Sequence, residues 1–484
     1  MGVSSVSSSS SGTINSQSLF PAIEHLTLSS SSTETSSSAC SVIIDKVISD
    51  IDLLTLILIC VPVKSLLVFK SVSKQWFSII SDPNFAINNF RRLNPKTTGL
   101  FFEKMVPRES NYEVMYDFLL LDGSKFERGH EGVEQETFKT PRKFGDDPEP
   151  GEYGSVREFR VRISQSCNGL LCCNRQTEYD GEPFTRREYL GSIDRFSTYK
   201  TYIYNPTTRK YRCLPPSPFR DNVPKRDDSR IKVCSISLAF DPMKSVDYKV
   251  ICIWKIEPFY HDYWDQDVEN KYYLEFYSSK TNTWRKLNSD PFYGHVMSFM
   301  TSGVYWNGCL HWIGSVRYAA NPESSMYFDV EQELVNPLPA SPNVDESKVM
   351  YFGECGGHLY LVELLESCYT HYNILKMETD YSGWKLILKL DLESLIAVYP
   401  GRDIAFHDLK FLWRMIVFLE EDEAESLSKL VMVVTGKEVI SYDLKEMSLT
   451  QIHNYPGDYF FFLDPQDGFA WGHLHHYIES LACV

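Results

Sequence analysis

The sequence predicts an α+β multidomain chain: a small all-helical unit, then a large all-β region that reads as a propeller of about six blades. Three observations carry this. Between Ile48 and Phe90 apolar residues recur at three- and four-residue steps, the period of an amphipathic helix. Past Arg92 the texture changes to short alternating strands separated by turn residues. Within that second region two half-units alternate, as the halves of four-stranded blades of roughly 40 to 50 residues would.

Taken in order, residues 1–42 are dominated by serine, with few aromatics and almost no charge. Such a segment cannot offset its ordering entropy by burial, so a disordered tail is expected. The first Lys or Arg is Lys46, which argues against a secretory signal or an Arg-rich transit peptide. Met1-Gly2 suggests myristoylation, but Val6 stands where that motif needs Ser or Thr.

The helical unit is expected over 43–92. Ser49 and Asp50 sit where an N-cap would accept orphan amides, and Leu53, Leu54, Ile57, Leu58 and Val61 give the first helix an apolar face that Pro62 terminates. A second helix fits Val63 to Lys70, with Leu66, Leu67 and Phe69 inward. Ser71 or Ser73 can cap a third, carrying Trp76, Phe77, Ile79 and Ile80. Asp82-Pro83, a cap followed by proline at the first helical position, announces a fourth from Asn84 to Arg92. A unit this short is near the limit of independent stability, roughly 40 to 60 residues, and cannot bury so much apolar surface by itself. Periodicity alone favours a subdomain packed on the rest of the chain.

Particular residues point elsewhere. Leu53-Leu54, Ile57-Leu58, Val61-Pro62-Val63-Lys64-Ser65-Leu66-Leu67, Phe69-Lys70-Ser71-Val72-Ser73-Lys74, Trp76 and Ile80-Ser81-Asp82-Pro83-Asn84-Phe85 follow one another at the spacing of the F-box. The stretch resembles that motif in the form common among plant F-box proteins. Two departures are visible: Ser49-Asp50 replaces the family's opening Leu-Pro, and Leu56 and Cys60 occupy positions that are usually polar. The resemblance implies docking to a Skp-type adaptor, and Leu53, Leu54, Ile57, Leu58, Val61, Pro62, Leu66, Leu67 and Trp76 are the residues expected to serve that contact or the module's own core.

Leu93-Asn94-Pro95 marks the hinge to the β region, which is expected over 98–480. Three polar, charged or proline-rich stretches, Thr140 to Gly154, Asn174 to Thr198 and Pro215 to Ser229, read as long surface loops. One half-unit is an apolar strand with a turn glycine: CNGLL from Cys167, VYWNGCLHW from Val304 and CGGHLYL from Cys355. The other is an aromatic strand entering a polar turn: YIYNPTTRKY from Tyr202, EFYSSKTNTW from Glu275, YFDV from Tyr327 and ISYDL from Ile440. Glycine supplies the positive φ of tight hairpins, and Asn, Asp and Thr hold turns through side-chain bonds to backbone. Together with LAFDPMKSVDYKVICIW from Leu238, these segments resemble the kelch-like F-box-associated domain of the same plant family. Trp254, Trp284, Trp306, Trp312 and Trp384 fall within strands and are expected to pack between blades.

Composition bounds the function. A net charge of −16 disfavours nonspecific nucleic-acid binding, which needs a basic face. No apolar run reaches the roughly 18 to 20 residues of a membrane span. The 12 cysteines form no CxxC pair and are expected as reduced thiols of a cytoplasmic or nuclear protein. No glycine-framed serine, HExxH or phosphate loop is present. His473, His475 and His476 lack a partner spaced to complete a metal site and read as a solvated or partly packed terminal segment, and Glu420, Glu421, Asp422, Glu423 and Glu425 as a solvated loop. No enzyme, metal or cofactor is expected. The resemblance implies a substrate-recognition subunit of an SCF-type cullin-RING ubiquitin ligase, with adaptor, cullin and RING subunits and an unidentified protein substrate as partners. A non-ligase scaffold whose helices serve only as packing is the alternative the residues leave open.

Overall fold

The computed structural model describes residues 46–107, 112–121, 160–176, 200–221, 229–258, 270–287, 292–294, 301–314, 325–342, 347–365, 371–391, 415–421, 427–434, 438–454, 460–461 and 474–484. The serine-rich 1–42 and most of the three expected loops lie outside these residues. Contacts divide the chain into 1–57 and 58–484, with the break inside the first helix, so the helices that follow belong to the same compact unit as the β region.

In the first part the chain is helical at 46–49 and again from the first helix, Ile51–Ile59. Asp50 is the cap, its Oδ1 accepting the amides of Asp52 at 3.0 Å and Leu53 at 3.1 Å. Every residue of this helix except Asp52 and Thr55 is apolar.

In the second part the second helix, Val63–Phe69, starts directly after Pro62, and Lys70 is its C-cap rather than its last residue. The third, Lys74–Ile80, is capped by Ser73, whose hydroxyl accepts the Trp76 amide at 3.2 Å. The fourth, Pro83–Leu93, carries proline at its start, and Asp82 Oδ1 accepts from Asn84 at 2.7 Å and Phe85 at 3.3 Å. It ends where Asn94 turns left-handed with φ 42°, followed by Pro95.

The chain then forms a hairpin of β1 (Gly99–Pro107) and β2 (Tyr112–Leu120). Five sequential antiparallel meanders follow. The first is β3 (Arg160–Cys167), β4 (Leu170–Gln176), β5 (Lys200–Asn205) and β6 (Lys210–Cys213). The second is β7 (Ser229–Phe240), β8 (Tyr248–Pro258), β9 (Asn270–Ser278) and β10 (Thr283–Lys286), with β11 (Phe292–Gly294) pairing the start of β9. The third is β12 (Val304–Trp306), β13 (Cys309–Trp312), β14 (Met326–Asp329) and β15 (Leu334–Pro337). The fourth is β16 (Ser347–Cys355), β17 (His358–Leu365), β18 (His371–Met377) and β19 (Trp384–Asp391). The fifth is β20 (Met415–Glu421), β21 (Leu427–Val434), β22 (Glu438–Asp443) and β23 (Ser448–Asn454). Finally β24 (Phe460–Phe461) and β25 (Leu474–Tyr477) pair with β1, Gly99 opposite Tyr477 and Phe102 opposite Leu474. Both ends of the β region share the sixth sheet, and the six sheets are the blades of a propeller.

The core lies between blades. Leu170, Cys172 and Ile203 of the first pack with Val233, Leu238 and Val250 of the second. Ile251 and Phe276 of the second meet Leu310 and Phe328 of the third. The largest cluster joins Trp306 of the third, Leu359 and Ile374 of the fourth, and Leu430 and Ile440 of the fifth. Leu100 and Phe102 reach Val431 and Val439, and Phe101 and Tyr477 reach Ile163 and Tyr202. Each sheet thus covers its neighbour's apolar face around the ring. Neighbouring first strands share no ladder, and polar side chains stitch them instead. Gln165 bonds both backbone groups of Leu238, Ser237 accepts the Gly303 amide at 2.8 Å, and Ser166 accepts the His476 amide at 2.8 Å. Trp254, Trp284, Trp306 and Trp312 are buried and Trp384 half-buried, with Trp284 and Trp384 donating to the carbonyls of Pro215 and Pro339, just past the preceding blade's last strand.

Both half-units of the repeat prove to be hairpins. The glycine half joins the first two strands through Asn168-Gly169, Asn307-Gly308 and Gly356-Gly357, all at positive φ. The aromatic half joins the last two. There Asn205, Asp329 and Asp443 each cap their turn by accepting two backbone amides, and Arg209, Glu333 and Met447 take the left-handed residue four positions on. The expectation of a solvated or partly packed C-terminal histidine segment is corrected towards burial: His475 sits in β25 with only 2% of its surface exposed. Pairing with β1, more than 370 positions earlier, is what gives that segment a place.

Candidate functional site

The helical segment carries the densest exposed apolar feature among the described residues. Inside it, Val63, Leu66, Ile80, Phe85 and Phe90 are buried, and Phe69 meets Trp76 edge to face at 5.4 Å. Asn89 is buried too, and its amide donates to the carbonyls of Ile59 at 2.8 Å and Val61 at 3.2 Å, satisfying the end of the first helix where Pro62 blocks continuation. Local caps and one buried amide therefore fix the turns.

This packing leaves much apolar surface uncovered. Within 1–57, Ile48, Ile51, Leu53, Leu56 and Ile57 are exposed, Leu56 by 64%. Within 58–484, the helical residues Val68, Val72 and Phe77 are exposed by 67%, 59% and 55%. Covering one such side chain is worth roughly 1–2 kcal/mol, part of the 1.5–3 of full burial. In each part, exposed large apolar side chains are concentrated on the helices.

The residues expected to dock separate by burial. Leu53, Ile57 and Pro62 are exposed; Val61, Leu67 and Trp76 are half-buried; Leu54, Leu58 and Leu66 are buried. Ile48, Ile51, Leu56, Val68, Val72 and Phe77 were not singled out as docking residues. The signal for those on the first helix was its composition, because a helix apolar on all sides needs cover on all sides. Leu56 and Cys60, at positions expected to be polar, are both exposed.

In the propeller, polar chemistry is internal. His311 is fully buried, with Nδ1 3.1 Å from the Val304 carbonyl and Nε2 2.8 Å from the Tyr381 hydroxyl, and it stacks on Tyr327 and Tyr381. Burial pushes its pKa down to about 4, so the ring is neutral and joins the third blade to the fourth. Burial raises the thiols of Cys167, Cys172 and Cys173, making poor nucleophiles of them. Among the described residues no group of three or more His, Cys, Asp or Glu converges as a metal site, and no helix is long and apolar enough to cross a membrane. His473 and, of the acidic run, Asp422, Glu423 and Glu425 lie outside the described residues.

Comparison with known proteins gives two matches along the chain: an F-box domain over residues 50–88 and an F-box associated beta propeller domain over residues 151–355. One F-box protein of Arabidopsis thaliana is 26% identical over 404 residues, covering 81% of this chain and 83% of its own. A second from that plant is 26% identical over 356 residues, covering 71% and 79%. A putative F-box/kelch-repeat protein of the same species is 22% identical over 404 residues, covering 81% and 82%.

Proposed function

Because this chain is a plant-type F-box protein with an F-box-associated β-propeller, we propose that it is the substrate-recognition subunit of an SCF-type cullin-RING ubiquitin ligase. Its helices dock a Skp-type adaptor, and through it the cullin and RING subunits, while the propeller holds a target protein. The chain performs no bond chemistry. Its contribution is proximity, since holding a substrate lysine near the charged ubiquitin-conjugating enzyme raises effective concentration.

The observation that supports this best is the bare apolar surface of the helices beside a propeller whose apolar surface is covered by neighbouring blades. The buried, neutral thiols of Cys167, Cys172 and Cys173 suit the reducing cytoplasm or nucleus where such a ligase works.

Co-expression with a Skp-type adaptor tests the reading. Ile57→Glu and Val68→Glu, each in the full chain, place a charge on exposed positions of the two parts. Either should abolish co-purification while circular dichroism of the propeller is unchanged. Failure of the unaltered chain to recover adaptor and cullin would sink the ligase reading in favour of a scaffold.

A further inference from the structure

After β25 the chain runs on as 478–484, and this segment is built into the fold. Ser480, Leu481 and Ala482 are all buried, and Ala482 joins the apolar cluster of the first two blades of the meander series. Asn205 fastens it, its Nδ2 donating to the carbonyls of Ser480 at 3.0 Å and Ala482 at 2.8 Å. The amide of Ser480 donates to Thr207 Oγ1 at 3.3 Å in the same turn. Gly169, in the adjacent hairpin turn, leaves no room between: a Cβ there would lie 2.5 Å from Ser480 Cβ and 2.9 Å from the Ile478 carbonyl.

On its other side the segment meets the second helix. Glu479 pairs with Lys64 at 2.7 Å, near the start of that helix. Lys70, just past the helix end, is held below the ordinary lysine range by burial and by Lys210 beside it, against a raising influence from Cys483. The segment therefore touches the second helix near its start, at Lys64.

Asn205 is informative because the chain contains its own control. The equivalent turns of the third and fifth meanders are capped by Asp329 and Asp443, which accept two amides as Asn205 Oδ1 does. A carboxylate suffices for the turn. Only at 205, where two carbonyls also need a donor, does an amide stand.

We infer that residues 478–484 are a strap that fixes the second helix on the propeller, fastened to the blade by Asn205 and to the helix by Glu479. A half-exposed ion pair contributes little alone, so the buried stretch 480–482 is the anchor and Glu479 the link. The consequence for ubiquitin transfer rests on the ligase reading: a receptor acting by proximity needs its adaptor-binding and substrate-binding parts held at one angle. The mechanical claim stands without that reading.

The test is Asn205→Asp in the full chain, with Asp329→Asn as control and dye-bearing non-natural residues at the exposed positions Ser78 and Lys280. Energy transfer should report one narrow distance in the unaltered chain and in Asp329→Asn. In Asn205→Asp the single distance should be lost, and amides of 478–484 should lose their protection from hydrogen exchange. Should the buried carboxylate prevent folding, Gly169→Ala and Gly357→Ala replace the pair. Both place alanine at positive φ, but only Gly169→Ala collides with the segment, since nothing lies within 4 Å of a Cβ at Gly357. An unchanged distance in the released variant overturns the inference. Adaptor co-purification is measured in parallel: its loss in the unaltered chain counts against the ligase reading alone, and a strap variant should keep it.

Discussion

The helices and the propeller treat the same raw material in opposite ways. In the propeller each sheet's apolar face is closed by the next, and among the described residues the exposed large hydrophobic ones are few: Met243, Ile256, Leu334 and Met447 stand apart, and Leu386 and Ile387 are neighbours in β19. In the helical stretch eight such residues crowd between Ile48 and Phe77. A ring of sheets is self-sufficient because every face has a neighbour of its own kind. A few short helices have one shared interior and spend it on Leu66, Ile80, Phe85 and Phe90, so the remainder stays bare. The contrast is between a ring that covers its own apolar surface and short helices that leave part of theirs exposed.

The comparison breaks most visibly in the ring. Trp312 is buried between blades, with its indole donating to Ser235 Oγ at 3.1 Å. Trp312→Ala should cost about 3–5 kcal/mol, read as a lowered denaturant midpoint, because the ring cannot collapse into the space. Acid attacks the same side of the contrast. The folded pKa of His311 is about 4, below the ordinary value of ~6.5, so its neutral packing stabilises fully above the ordinary value and is lost as pH falls towards 4. The slope in that window is up to about 1.4 kcal/mol per pH unit, and His476, also lowered to about 4 by burial, adds with the same sign. Thermal melts from pH 7 to 4 should show a smaller slope for His311→Gln than for the unaltered chain.

The sequence made local chemistry legible and nonlocal pairing obscure. Asp82 was readable as a cap, Ser73 as one of two candidates beside Ser71, and Asn94 as part of the hinge, because such signals act within a few residues. The turn glycines and capping Asn or Asp were readable for the same reason, and they located the hairpins. What the sequence withheld was sidedness. A helix that is apolar all round has no preferred face, so Leu54 and Leu58 were grouped with Leu53 and Ile57, although the first two are buried and the last two exposed. Ring closure was hidden too, since nothing near His475 records that its partner is Phe101.

Asn89 gives the intermediate case, a polar residue serving the helical side. Asn89→Ala strips the donor from the carbonyls of Ile59 and Val61, and leaving buried carbonyls unpaired costs ~1–3 kcal/mol. Hydrogen exchange should rise in the helices while the strands keep their protection, because the ring's clusters contain no residue of the four N-terminal helices.

The smallest effect on stability should come from Phe77, and it sharpens the contrast furthest. Its ring is 55% exposed, so Phe77→Ser should shift the free energy of unfolding by less than about 0.5 kcal/mol, as surface changes usually do. If the surface is completed by an adaptor, the same change should weaken adaptor binding by about tenfold, ~1.4 kcal/mol, in a titration. Buried positions such as Trp312 should show the reverse ratio, with large losses of stability and adaptor affinity retained by whatever fraction is folded. A residue whose cost appears only on association is one the chain's own fold does not use, and Phe77 showing equal costs in both measurements would mean that its surface already belongs to the folded monomer.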